Sequence, residues 1–417
     1  MPFPKSVVGN SKPMSSPSCR FLHAHDLMLD TPLQGFGPLP EELEQIVGQA
    51  PRRTADKTFQ KAIELGVDFV LLTGQLLDLR RAEPALIRFL QRQFEVLAAA
   101  RIPVYWVGSA KQFRRWPRWA SLPPEVHWLS QGKTALKTNG FTCEISLLDS
   151  TDSHADAADG SADQDEPAFR IRVVAAAEKA ELRKFAAHHR GDYWALAQAK
   201  GRRTLLLKKQ VAHAPGSPQA RFPDAAGPHG CTRVELMLGH RPRLQFIATA
   251  SVQFYRQKLL VPESGEREPL LISAHQCLSG IGADGSPDLI LINWELVASP
   301  SLKLLARAKA IRQQFLEEIN RMGRPAKVPI WSLDAQWQLE DPRGQMEAES
   351  FASIYLDALY SLYEERLHDS QFLEELASAG ELGRWLRANG ATCLGAERLA
   401  EAIVEGLSIV GLEDRSP

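Results

Sequence analysis

Along this chain, short runs of consecutive apolar residues alternate with longer stretches in which apolar positions recur every three or four residues. From Arg20 a short apolar run reads as a strand that delivers a polar loop at Asp26. Glu41 to Ile46 predicts a short helix, and Arg53 to Leu65 a second one stopped by Gly66. Val67 to Leu72 reads as a buried strand bounded by Gly74. Glu83 to Ala100 predicts an amphipathic helix, and Pro103 to Val107 another strand. This β-α-β-α-β order implies parallel pairing with right-handed crossovers. After Trp116 the strands His127 to Leu129, Phe141 to Leu148, Phe169 to Ala175, Asp192 to Leu196 and Arg203 to Leu207 predict a second sheet. Leu244 to Tyr255 reads as a strand pair closing that arrangement.

Beyond Val261 the pattern changes to a smaller unit. Strands are predicted at Leu270 to Ser273, Leu289 to Trp294 and Val328 to Trp337, around a helix from Leu302 to Met322. From Glu347 the chain reads as helical, with Phe351, Ile354, Tyr355, Ala358, Leu359 and Leu362 forming one apolar stripe. Further helices are expected at Ser370 to Ala377, Leu382 to Ala388 and Ala396 to Ile409.

Composition refines the organisation. Residues 1–19 are rich in Pro, Ser and Lys and are expected as a disordered leader without a signal-peptide core. The segment 149–167 is acidic and nearly free of bulky apolar side chains, which predicts a solvated loop inserted into the main domain at 20–261. A small α/β cap at 262–340 and a helical region at 341–417 complete the expected layout. A formal charge of −1 over 417 residues gives no global basic field, so contact with nucleic acid would need a local patch. The cysteines Cys19, Cys143, Cys231, Cys277 and Cys393 have no paired spacing, which predicts reduced thiols in a cytoplasmic protein. No apolar run reaches membrane-spanning length.

Four loops at strand ends carry the candidate chemistry: Asp26-Leu27-Met28, Gly74-Gln75, Gly108-Ser109-Ala110 and Ala197-Gln198-Ala199-Lys200. In order and spacing they resemble the calcineurin-like metallophosphoesterases, and most closely the SbcD-type DNA repair exonucleases. Those proteins read D-x-H, G-D, G-N-H and G-H-x-H at the corresponding places. The stretch APGSPQARFPDAAGPHGC, with Pro215, Gly216, Pro218, Gln219, Arg221, Gly227, Gly230 and Cys231, resembles a further segment of the same family.

The resemblance implies a four-layer α-β-β-α sandwich, and it also implies a degenerate site. A two-metal phosphoesterase needs carboxylates, imidazoles and an amide oxygen around its cations. By resemblance Asp26 stands at a retained ligand position. Met28, Gln75, Ser109, Gln198 and Lys200 stand where ligands are replaced, and Ala110 where an assisting histidine is replaced. A further histidine expected near Val173 to Ala176 is absent from the sequence there, VVAA. No cofactor is therefore expected; manganese or another divalent metal belongs to the alternative of an active phosphoesterase with a remodelled site. His23, His25, Asp30 and Asp78 lie beside these positions, with His25 expected on the opposite side of its strand from Asp26.

Lys111 and Lys200 would place fixed cations near the former metal positions, as a clamp for phosphate. Lys111, Arg114, Arg115 and Arg118 interleave with Phe113, Trp116 and Trp119, and Arg202 with Arg203 extends the basic character. That mixture suits backbone phosphates and base stacking, and equally a solvated turn whose tryptophans pack inward. The resemblance further implies an SbcC-type ATPase as partner, gripping the C-terminal helices, in a DNA repair role; a homodimer is left open. Ser273-Ala274-His275 with Cys277 lacks a nucleophile-elbow context, Gly280-Ile281-Gly282 reads as a plain turn, and His188-His189 is expected at a solvated helix end.

Overall fold

A computed structural model describes residues 18–108, 113–130, 132–138, 141–148, 168–175, 179–197, 201–207, 210–262, 266–281, 287–298, 302–321 and 328–339, with 354, 357 and 361. The acidic segment 149–167, residues 1–17 and nearly all of 341–417 lie outside the described residues. The chain divides into two compact units, Met1–Gln253 with Asp284–Asp288, and Phe254–Ala283 with Leu289–Pro417.

In the first unit, β1 (Ser18–His25), α1 (Glu41–Glu64), β2 (Phe69–Thr73), α2 (Pro84–Ala99), β3 (Val104–Val107) and β4 (Val126–Leu129) follow in order. Next come β5 (Gly132–Thr138), β6 (Phe141–Leu148), β7 (Phe169–Val174), α3 (Lys179–His188), β8 (Tyr193–Leu196), β9 (Arg203–Leu207) and β10 (Gln210–Ala214). The last two strands of the unit are β11 (Gly230–Met237) and β12 (Arg243–Ala248). One six-stranded sheet has the order β12-β11-β1-β2-β3-β4, the other β5-β6-β7-β8-β10-β9. The pairs β1/β2 and β2/β3 are parallel, as the β-α-β-α-β order predicts, and β11 pairs with β1 antiparallel; β4, expected in the second sheet, instead pairs parallel with β3 at the edge of the first.

Every residue of β2 is buried, because both faces of its sheet are covered. Side chains alternate across that sheet. Leu22, Ala24, Val70 and Leu72 pack with Phe59 of α1 and Leu90 and Phe94 of α2. Cys19, Phe21, Phe69 and Leu71 meet Cys143, Ile145, Ile171 and Tyr193 of the other sheet, with Phe21 stacked on Phe69 at 4.8 Å. The far side of the second sheet buries Trp194 and Leu196 with Leu182 of α3. His23, His25 and Thr73 therefore belong, by alternation, to the face between the sheets.

Several elements differ from expectation. β1 starts at Ser18, inside the expected leader, because Ser18 and Cys19 pair with Met237 and Leu236 of β11. The two predicted helices between 41 and 65 are one, α1, despite Pro51. A proline removes a single hydrogen bond and strains the preceding turn, but burial of Val47, Ala50, Thr54, Ala55, Thr58 and Phe59 along one face carries the helix through. Gly66, at φ +56, ends it as expected.

The second unit contains a three-stranded sheet, β13 (Val252–Leu260), β14 (Leu289–Ala298) and β15 (Ile330–Leu339), with α4 (Arg267–Gly280) and α5 (Leu302–Arg321). Trp294 packs edge-on to Phe315 at 5.5 Å in its core. Leu270 to Ser273, read as a strand, lies in α4. Three apolar residues in a row fit either structure, and burial of Leu270, Ala274 and Leu278 at helical spacing decides for the helix. Ile354, from the predicted C-terminal stripe, is helical and exposed; the rest of that stripe lies outside the described residues. Among the described residues no helix is long and apolar enough to cross a membrane.

Candidate functional site

β1 and β2 run parallel with His25 opposite Thr73, so the loops that follow them emerge side by side. Asp26 and Met28 both take left-handed backbone, φ +49 and +45. That conformation is costly for residues with a Cβ and marks a loop held by its surroundings. The two loops are zipped together: Asp26 N–H donates to Thr73 O at 3.1 Å, Met28 N–H to Gln75 O at 3.0 Å and Leu29 N–H to Leu76 O at 2.8 Å. A third segment locks them from the other side. Arg221 donates to the carbonyls of Leu27 at 2.6 Å, Met28 at 3.0 Å and Thr31 at 2.9 Å, and Ser217 Oγ donates to Asp26 O at 2.9 Å. Burial pushes the Arg221 guanidinium down to about 10, against the pull of Asp30 and Asp26. The ladder thus replaces helix or sheet pairing for a loop that would otherwise leave carbonyls unsatisfied.

Both oxygens of the Asp26 carboxylate have protein donors. Oδ1 accepts from Gln75 N–H at 2.7 Å, and Oδ2 lies 3.1 Å from His25 Nε2. Gly74, at φ +71, lies directly beneath: a Cβ there would fall 2.1 Å from Asp26 Oδ1 and 2.7 Å from His25 Cε1. Burial would raise the Asp26 carboxyl, yet the hydrogen bond and electrostatic attraction of the His25 N–H, the Gln75 amide and Arg221 together hold it below the usual range.

Behind Asp26 a buried polar seam crosses between the sheets. His25 Nδ1 is 2.9 Å from Thr73 Oγ1, Thr73 Oγ1 is 2.8 Å from His23 Nε2, and His23 Nδ1 is 2.8 Å from the Tyr193 hydroxyl. Burial, with His213 and His25 nearby, pushes His23 well down, and burial pushes the Tyr193 phenol well up. A carboxylate can only accept, so His25 Nε2 carries a hydrogen towards Asp26. One assignment then satisfies every member: Tyr193 O–H to His23 Nδ1, His23 Nε2–H to Thr73 Oγ1, and Thr73 O–H to His25 Nδ1. The order carboxylate, imidazole, hydroxyl is that of a nucleophilic triad, but Thr73 is 0% exposed and no substrate can reach it.

Asp26, Met28 and Gln75 are therefore brought together, at the ends of β1 and β2. His25 is not on the opposite side from Asp26, as strand alternation predicts. β1 ends at His25, and the positive φ of Asp26 turns its carboxylate back onto the ring. Ser109, Ala110, Lys111, Gln198 and Lys200 lie outside the described residues. Arg202 is described, its guanidinium 4.0 Å from the centre of the Phe246 ring. Its backbone crowds Gly216, where a Cβ would sit 2.8 Å from Arg202 N, so this loop rests on the turn that carries Ser217. Arg203, Arg114, Arg115 and Arg118 are exposed.

The aromatics of the basic segment divide. Trp116 packs edge-on to Trp106 at 5.6 Å, whereas Phe113, leaning on Trp128 at 5.2 Å, and Trp119, with Arg88 5.7 Å from its ring centre, are both exposed. His189 is buried at the end of α3, contrary to the solvated position expected, while His188 is exposed. Ser273 caps the Pro269 carbonyl inside α4. Among the described residues no group of three His, Cys, Asp or Glu side chains converges as a metal set. The role of His25, Thr73 and Tyr193 escapes sequence reading, although the alternation of polar residues on an otherwise buried strand, His23 then His25, is its signal.

No family model matches the chain. It is 23% identical over 356 residues to "Uncharacterized metallophosphoesterase YhaO" of Bacillus subtilis, covering 79% of this chain and 84% of that protein. This likeness supports the metallophosphoesterase superfamily. Two solved structures are also similar: GAP50, the anchor in the inner membrane complex of Plasmodium (TM-score 0.31, 11% identity, 56% of this chain and 85% of the other), and a hypothetical protein from Thermus thermophilus (TM-score 0.32, 13% identity, 54% and 99%).

Proposed function

We propose that this chain is an SbcD-like member of the metallophosphoesterase superfamily that has lost two-metal catalysis and acts as a binding or regulatory subunit in DNA repair. The layering of two sheets between helices supports a four-layer α-β-β-α sandwich as its frame. The observation that carries the reading is the state of Asp26: the one ligand position retained by resemblance has both carboxylate oxygens on protein donors. Beside it stand Gln75, an amide without the charge that would hold two cations together, and Met28, a soft thioether unsuited to hard cations. This donor set does not fit a dinuclear centre of magnesium or manganese type, and no hydrolytic step is derived through one.

In this reading the exposed Arg114, Arg115, Arg118, Arg202 and Arg203, with Lys111 and Lys200, supply phosphate contacts, and the C-terminal helices supply the surface for an SbcC-type ATPase in the cytoplasm. The test is manganese-dependent cleavage of single- and double-stranded DNA by the purified protein, with Asp26→Ala as control, alongside co-purification with a large ATPase. The expected result is no cleavage above the control. Cleavage abolished by Asp26→Ala would instead establish an active enzyme with a remodelled site.

A further inference from the structure

Resting on that reading of the site, we propose that His25 is a cation-excluding residue, whose N–H at Asp26 takes the place that a divalent cation would need. Substitution of ligands at positions 28 and 75 then describes only part of how the site was rebuilt.

The argument starts from what Asp26 can still offer. Oδ1 is tied to the Gln75 amide at 2.7 Å and pressed against the Gly74 backbone. Oδ2 is the other oxygen, and His25 Nε2–H is aimed at it from 3.1 Å. A cation sharing that oxygen would stand beside the positive end of an N–H dipole. To relieve this, the imidazole would have to present a lone pair there instead. It cannot do so alone. His25 is 2% exposed, its Nδ1 receives the Thr73 hydroxyl, Thr73 receives His23, and His23 receives Tyr193 from the opposite sheet. Presenting a lone pair at Nε2 requires every bond of the seam to reverse together, and that reversal leaves the Tyr193 hydroxyl hydrogen without its His23 acceptor in a dry core. The exclusion is thus built into the fold two strands away from Asp26, and Tyr193 and Thr73 act as positioning residues for it.

The consequence is specific. Restoring ligands with Met28→His and Gln75→Asp leaves the obstacle in place, whereas adding His25→Ala removes it. The test titrates Mn²⁺ into three folded proteins by calorimetry: native, the pair variant, and the pair variant with His25→Ala. A Thr73→Val version of the pair variant, nearly isosteric and still carrying His25, guards against loss of folding in the alanine protein. The expected result is weak Mn²⁺ binding by the pair variant, tightened at least tenfold by His25→Ala and severalfold by Thr73→Val. Two results overturn the proposal: full-strength binding by the pair variant with His25 present, or no tightening in either further variant. Nitrogen NMR of native His25 adds an independent reading, since a hydrogen on Nδ1 instead of Nε2 also overturns it. Mn²⁺-dependent cleavage by the native protein would sink the functional reading, a result this titration of variants does not depend on.

Discussion

Gly74→Ala tests the site geometry through a single methyl group. The added Cβ would sit 2.1 Å from Asp26 Oδ1, far inside contact distance, on backbone at φ +71. An L-residue in left-handed backbone costs roughly 1–2 kcal/mol. Displacing Asp26 Oδ1 from Gln75 N–H removes a charge-assisted hydrogen bond worth about 1.5–3 kcal/mol. The sum is about 2.5–5 kcal/mol, or a fall in melting temperature on the order of 10 °C for a unit of this size. Urea unfolding of four proteins separates the two parts: native, Gly74→Ala, Asp26→Ala, and both together. With the carboxylate gone the backbone part and the approach to His25 Cε1 remain, while the lost Asp26–Gln75 hydrogen bond no longer counts, so the coupling between the two substitutions is expected at about 2 kcal/mol. Equal cost of Gly74→Ala in both backgrounds, or a cost below about 0.5 kcal/mol in the native one, would refute the placement of Asp26 over the Gly74–Gln75 turn.

Arg221→Met keeps the length of the side chain but abandons the carbonyls of Leu27, Met28 and Thr31. A loss of about 3 kcal/mol is expected in chemical denaturation, with greater proteolytic cleavage after residue 26. The pH dependence of stability is set in part by His213, which burial, together with the Arg202 charge, holds down at about 4 while its ring bridges Thr204 and Thr232. Its folded pKa lies below the unfolded value near 6.5, so the unfolded chain binds more protons between those limits. Stability is expected to fall as pH drops from about 6.5 to about 4, by up to roughly 3 kcal/mol, and His213→Gln should flatten that part of the profile. Asp26 acts lower on the pH scale: its depressed carboxyl adds stability above the usual carboxylate range that is lost as pH falls through its folded pKa, and Asp26→Asn should remove that component. If the basic surface binds DNA, neutralising Arg114, Arg115 and Arg118 together should weaken binding across sequences and lower the salt slope by about 0.9 for each phosphate left without its cation.

The parallel core was legible because its signals are periodic. Val67 to Leu72 is apolar at all but one position, as a strand covered on both faces must be, and the α1 and α2 patterns repeat at helical spacing. The α4 segment was misread because Leu270 to Ser273 is too short a run to show its period. The pattern gave two helices, Glu41 to Ile46 and Arg53 to Leu65, where tertiary burial keeps one through Pro51. At the site, motif spacing alone singled out Asp26, Met28 and Gln75, whose loops the structure pairs. The His25 contact could not, since it depends on a positive φ at Asp26 that no propensity favours. Nor could the seam to Tyr193, which joins residues 170 positions apart through the packing of two sheets.

The most direct measurement is the metal content of the native protein, purified without chelator and then equilibrated with manganese, iron or zinc, determined by mass spectrometry of the intact folded chain. The account predicts no stoichiometric metal retained at Asp26 and the same spectrum for Asp26→Ala. Two metal ions per chain in the native protein, lost in Asp26→Ala, would contradict it.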